Sequence, residues 1–149
     1  MKSKLDCTFS PLNSFDKYKY IVICSFYNNE YILSKHKERS TWEHQGGHIE
    51  EGETFIEATR RELYEESGII DAKIIPICDY TGFIDDRSAN GVVFLAVVNS
   101  IGELPDSEME CIKSFKTLPD NLTYPTVTKK LFEKCENELK TWFKIKNNE

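Results

Sequence analysis

This 149-residue chain is short of several things, and each scarcity removes a class of answer. Its five cysteines, Cys7, Cys24, Cys78, Cys111 and Cys135, are odd in number and form no C-x-x-C pair, so a disulfide framework and a zinc site are both poor readings. Free thiols in a reducing compartment fit better, most of them as filler within apolar runs. No apolar stretch approaches the roughly 18–20 residues of a membrane span, and the first residues lack a positive-then-apolar leader pattern. A soluble, cytoplasmic protein is expected. Basic residues are outnumbered 19 to 25, a net charge of -6, which argues against a general nucleic-acid-binding face. Repeats and proline-rich linkers are missing too, and 40% hydrophobic content supplies one sizeable core. The expectation is a single domain spanning residues 1–149.

What the chain does have is concentrated between Gly46 and Ile69. The spacing predicts a helix over Thr54–Ser67, on which Glu62, Glu65 and Glu66 stand at i, i+3 and i+4 and share one face. Three like charges within one turn destabilise a helix unless a cation sits among them. Hard oxygen ligands suit Mg²⁺, with Mn²⁺ as a substitute, whereas zinc would want His or Cys. Thr54 is the expected N-cap, Glu57 completes a capping box, and Gly68 follows the last turn where a left-handed residue belongs. Ile56, Thr59 and Leu63 form the expected core-facing stripe.

Elsewhere the chain alternates strands and helices. Tyr20–Tyr27 and Glu30–Ser34 read as a hairpin turned at Asn28-Asn29. Lys73–Tyr80 and Gly91–Asn99 are further strands, and Ser114–Leu118 closes a strand begun near Met109. Val127, Leu131, Cys135, Leu139 and Trp142 recur at helical spacing after Pro125. The pattern predicts an α/β fold, a mixed sheet with helices on both faces.

Read as a unit, Gly47, five residues, Glu53, seven residues, then Arg61-Glu62-Leu63-x-Glu65-Glu66-x-Gly68-Ile69 resembles the signature of the Nudix hydrolases at every fixed position. Seven literal matches at fixed spacing arise by chance on the order of once in a million sequences of average composition. The resemblance, with its box at 47–69, implies the α/β/α Nudix sandwich. It further implies that Glu62, Glu65 and Glu66 are metal ligands, joined by the carbonyl of Gly46. Glu53 and Arg61 pair in the family and hold the loop onto the helix, so they are read with Gly47 and Gly68 as supporting structure. Acidic balance does not oppose a small phosphorylated substrate, because a bound metal inverts the local electrostatics.

The implied activity is metal-dependent hydrolysis of the diphosphate linkage in a nucleoside diphosphate derivative. For a nucleoside triphosphate the products are monophosphate and pyrophosphate. Glu62 is one candidate for the general base, Glu108 another, and Glu110 a third. Lys35, Lys37 and Arg39 share a side in strand alternation and could reach the distal phosphates; a solvated edge strand is the alternative. Trp42 could stack on a base or pack in the core. Gln45 stands where many relatives have Pro, a change that loosens the turn without removing a ligand.

For substrate class, the Pro of ADP-ribose hydrolases is replaced by Ile84-Asp85-Asp86, and the Tyr of dinucleoside-polyphosphate hydrolases and the coenzyme A motif are missing. Trp42-Glu43 together with Leu122–Pro125 look most similar to MutT-type hydrolases of oxidised nucleotides such as 8-oxo-dGTP. Their guanine-reading Asn corresponds to Thr123 here, with Asn121 nearby. Alternatives are a Nudix domain that senses nucleotide without turnover and an RNA 5′ pyrophosphohydrolase. The expected partner is a small nucleotide, with neither membrane nor general nucleic-acid binding, and the protein a monomer or homodimer.

Overall fold

The computed structural model describes residues 4–147, with side chains described through residue 141. Eight strands and two helices follow in the order β1 (Asp6–Ser10), β2 (Tyr20–Tyr27), β3 (Glu30–His36), β4 (Trp42–Glu43), β5 (Gln45–His48), α1 (Phe55–Ser67), β6 (Asp71–Ile84), β7 (Arg87–Ser100), β8 (Met109–Phe115) and α2 (Pro125–Asn147). The sheet order is β1-β6-β7-β2-β3-β4, with β5 also on β2 and β8 also on β3. Only β2 and β7 pair in parallel, so the sheet is mixed.

Alternation along β2 separates two cores. Ile21 and Ile23 face α1, where they join Ala58, Leu63, Val92 and Phe94. Val22, Cys24 and Phe26 face α2, where they join Val127, Leu131, Phe132 and Cys135. Period-2 strands sandwiched by two apolar helix stripes leave no other arrangement that removes both faces from water. This is the expected α/β/α sandwich. Four of the five cysteines are buried and all are free. Trp142 lies beyond the described side chains.

Asn28 and Asn29, at φ 51° and 65°, make the two-residue turn between β2 and β3 whose left-handed backbone asparagine tolerates well. Two expected strands prove longer. β6 and β7 run on to Ile84 and Arg87 and meet at the Asp85-Asp86 turn. Their outer halves carry little apolar alternation, because there they pair with each other and with β1 more than they cover a core. β1, β4 and β5 have no clear signal in the sequence; β1 is a polar edge and the other two are short. The helix stripe needs one correction. Thr59 and Leu63 are buried, but Ile56 is 49% exposed and Ala58 takes the buried place, since the first turn of α1 overhangs the sheet.

Candidate functional site

Both ends of α1 are fixed as the local residues dictate. Thr54 Oγ1 accepts from Glu57 N–H at 3.1 Å while Glu57 Oε1 accepts from Thr54 N–H at 3.0 Å, the reciprocal capping box. Gly68 ends the helix at φ 77° with its N–H donating to Tyr64 O at 2.8 Å. With Ala58, Thr59, Leu63 and Ser67 buried against the sheet, Glu62 and Glu66 come to lie over β5.

The Gly46-Gly47 pair lets backbone and carboxylates approach closely. Gly46 N–H donates to Glu66 Oε1 at 2.7 Å, and a Cβ on Gly46 would sit 2.6 Å from Ile21 O. A Cβ on Gly47 would meet the Glu62 carboxylate at 2.4 to 2.6 Å. Burial pushes the Glu66 carboxyl up to about 8, opposed by the Gly46 hydrogen bond and reinforced by the charges of Glu62, Glu43 and Glu108. Burial also raises Glu62, against the pull of Arg61.

Arg61 occupies the centre of the acidic loop. Its Nε and NH2 donate to Glu53 at 2.7 and 2.9 Å, its NH1 to Glu62 at 2.8 Å and to Glu65 at 3.4 Å, and its NH2 to His48 O at 3.0 Å. Hydrogen bonds from Arg61, then from the Glu50 amide, hold Glu53 down at about 2. The loop is thus clamped to the helix.

Gln45 differs from the expectation of a loosened turn. It is fully buried within β5: Ser25 Oγ donates to its Oε1 at 2.8 Å, and its Nε2 donates to Ser34 Oγ at 2.9 Å and Ile32 O at 3.3 Å. Ser34 Oγ in turn donates to the backbone carbonyl of Glu66 at 2.8 Å. A buried polar chain therefore runs from β2 through β5 and β3 to the last turn of α1.

Two lobes of one cleft meet at Gly46, Gly47, His48, Glu66, Glu108 and Met109. The acidic lobe, about 550 Å³, adds Glu50, Arg61, Glu62, Glu65 and Asp106. The other, about 330 Å³, adds Tyr20, His36, Arg39, Glu43, His44 and Tyr124. All three histidines of the chain line this second lobe. His44 Nδ1 lies 2.9 Å from Thr128 Oγ1 and burial pushes its pKa down to about 4, so the ring is neutral at pH 7. Glu38 N–H donates to His36 Nδ1 at 3.1 Å, which leaves the proton on Nε2, 3.6 Å from Glu108 Oε2.

The residues singled out for substrate binding fare unequally. Lys35, Lys37 and Arg39 do not share a strand side, because β3 ends at His36 after a register shift and the chain then turns. Lys35 pairs with Glu110 at 2.9 Å and Lys37 with Asp106 at 3.3 Å; neither lysine lines the cleft, although Asp106 does. Arg39 lines the cleft, its NH1 on Glu43 at 3.0 Å. Trp42 packs edge-on against Phe115, ring centroids 5.1 Å apart, and lies partly buried against the core. Thr123 Oγ1 faces Thr41 Oγ1 at 2.6 Å, and Asn121 donates to Ser40 O at 3.1 Å; the neighbouring Tyr124 is the one that reaches the cleft. Glu43, His48 and Tyr124 escape a reading of the sequence, although strand alternation beside the motif would place Glu43 and His48 near it.

Among the described residues no group of three or more His, Cys, Asp or Glu is already gathered to hold a metal ion. Glu62 and Glu65 reach to Arg61, and Glu66 to the Gly46 amide. The donor set nonetheless fits Mg²⁺ in kind: all oxygen, with two carboxylates whose charge burial penalises and which a cation would relieve.

A NUDIX domain model matches residues 17–135. Among solved structures, the Bacillus subtilis pyrophosphohydrolase BsRppH is similar, with a TM-score of 0.72 at 18% identity over 93% of this chain and 98% of that one. The NUDIX domain of Shewanella oneidensis NrtR, complexed with ADP ribose, has a TM-score of 0.66 at 16% identity over 86% and 92%. A MutT NUDIX hydrolase from Burkholderia pseudomallei has 0.60 at 21% identity over 80% and 98%. Comparison with curated proteins gives no match. With the motif unbroken on α1 and residues 17–135 matched, the chain belongs to the NUDIX domain family.

Proposed function

We propose that this chain, as one catalytic domain, is a Mg²⁺-dependent nucleotide pyrophosphohydrolase that converts a nucleoside triphosphate to its monophosphate and pyrophosphate. The observation that carries the reading is the two-lobed cleft, in which the partly buried Glu62 and Glu66 adjoin a lobe lined by histidine, tyrosine and Arg39. Phosphates would lie in the acidic lobe and the nucleoside in the other. Glu62, Glu65, Glu66 and the Gly46 carbonyl would hold Mg²⁺, with Mn²⁺ as a substitute; when bound, the ion neutralises charge on the diphosphate. Five free cysteines support a reducing, cytoplasmic setting, and no helix among the described residues is long and apolar enough to cross a membrane.

The chain's own groups divide the work. Glu108 lines both lobes with its side chain 85% exposed, so it has room to take a proton from the attacking water; Glu62, half shielded against Gly47, is the other base. His48 and Arg39 present N–H groups to the substrate's oxygens, and Arg61 balances the charge of Glu53 and of its neighbours Glu62 and Glu65. 8-oxo-dGTP is the first substrate to test, on the strength of Trp42-Glu43 and Leu122–Pro125, although Thr123 itself turns toward Thr41.

A panel of nucleoside triphosphates, 8-oxo-dGTP, ADP-ribose, dinucleoside polyphosphates and a 5′-triphosphate RNA in Mg²⁺, scored for pyrophosphate against orthophosphate, tests the reading. Pyrophosphate release from a free nucleotide supports it. Binding without turnover on any member would replace it with the sensing domain, and turnover of the RNA alone with an RNA 5′-end enzyme, which the net charge of -6 disfavours.

A further inference from the structure

A second cavity, about 470 Å³, opens between the first turn of α1 and the β6–β7 ribbon and shares no lining residue with the cleft. Its making begins with a bulge. Pro76 pairs with Phe94 and Cys78 with Val93, so Ile77 is the extra residue, and β6 changes alternation there. Ile77 and Cys78 both face α2, which leaves Pro76 and Asp79, three residues apart, on the α1 face.

The cavity has an apolar rim and a polar end. Leu12, Phe55 and Ile56, three of the five large hydrophobic side chains that are exposed among the described residues, line it, together with Val92 and Phe94 from its floor. Asp79 lines it as well and is 1% exposed. Its Oδ2 accepts from Tyr18 OH at 2.6 Å and Ser14 N–H at 2.8 Å. Its Oδ1 is buried and has no partner among the described residues. No lysine or arginine lines the cavity, so it holds no cation to answer that oxygen. A buried acceptor left without a donor is a cost that a ligand's N–H can remove, and a carboxylate in apolar surroundings selects a cationic donor.

We propose that this cavity binds a small amphiphilic cation, an apolar body against Phe55, Ile56, Val92 and Phe94 ending in a primary ammonium that donates to Asp79 Oδ1. Because Oδ1 is itself buried, binding requires its cover to yield. The site is separate from the acidic cleft and does not depend on hydrolysis.

Proton–nitrogen correlation spectra of the full chain in saturating Mg²⁺, which on the proposed function occupies carboxylates in the cleft, give the test. The probes are phenethylammonium and hexylammonium, with phenylpropionate as the anion of similar shape. Both cations should produce saturable shifts at Phe55, Ile56, Val92 and Phe94, and the anion none. Asp79→Asn, which keeps an oxygen for Ser14 and Tyr18, should weaken binding at least about tenfold through loss of the charge-assisted hydrogen bond. Ile56→Gln, on the exposed rim, should weaken it severalfold without touching the fold, and serves if Asp79→Asn does not fold. Equal shifts from the anion, shifts confined to the residues around Glu62 and Glu66, no saturable shift from either cation, or unchanged affinity in the folded variants would each overturn the proposal.

Discussion

Arg61 holds Glu53 through two parallel hydrogen bonds, Nε to Oε2 at 2.7 Å and NH2 to Oε1 at 2.9 Å, and so ties the loop after β5 to the middle of α1. The same Glu53 accepts from Glu50 N–H at 2.8 Å. Its carboxyl is held at about 2 against an ordinary 4.5, so the folded state releases a proton that the unfolded state keeps. The resulting stability is fully present above about 4.5 and disappears as pH falls toward about 2. Glu53→Gln should therefore lower the melting temperature at neutral pH and flatten its acid dependence in that window. Parallel acid curves for the two proteins would show that the clamp contributes nothing.

Glu66 has the opposite linkage. Its folded pKa of about 8 lies above the ordinary 4.5, so in metal-free protein stability should fall as pH rises between those values, with Glu62 adding in the same direction. Thermal unfolding in a chelator across that range should show the decline. Mg²⁺ should reduce it by binding the ionised form, and Glu66→Gln should flatten it.

The same substitution is expected to act on turnover. Loss of one charge from the group that would hold the metal should lower kcat at least about a hundredfold, a few kcal/mol of transition-state stabilisation. Steady-state kinetics in Mg²⁺ would decide it, and a near-wild-type rate would place the metal elsewhere.

Glu108→Gln should cost kcat roughly a hundredfold to ten-thousandfold, the range for a general base. His36, whose Nε2 proton faces Glu108 at 3.6 Å, is expected to position that carboxylate. His36→Phe should lower kcat with little change in KM, while His36→Gln, which keeps an N–H, restores part of the rate. Full activity in Glu108→Gln would transfer the role to Glu62.

Gln45→Leu should destabilise the fold by about 1–3 kcal/mol for each partner left without its hydrogen bond, chiefly Ser25 and Ser34, on denaturant unfolding. Because Ser34 also holds the carbonyl of Glu66, turnover should fall beyond the loss of folded protein. An unchanged specific activity in the folded fraction would separate this network from the site.

Local information was enough for α1 and its chemistry. Thr54, Glu57 and Gly68 mark their ends by hydrogen bonds that reach no further than four residues, and the 3.6-residue period puts Glu62, Glu65 and Glu66 together whatever the rest of the chain does. The hairpin at Asn28-Asn29 and the apolar runs of β2 and β7 are legible for the same reason. The opposite wall of the cleft is not a local property. His36, His44 and Tyr124 meet there only because β3 pairs with β8, β4 with β3, and α2 packs its Thr128 against His44 across 84 residues of sequence. Lys35 and Lys37 looked equivalent to Arg39 until a register shift at the end of β3 turned them toward Glu110 and Asp106. Side-chain period along a strand is set by residue count, but a bulge or a strand end resets it, and those are decided by what the strand pairs with.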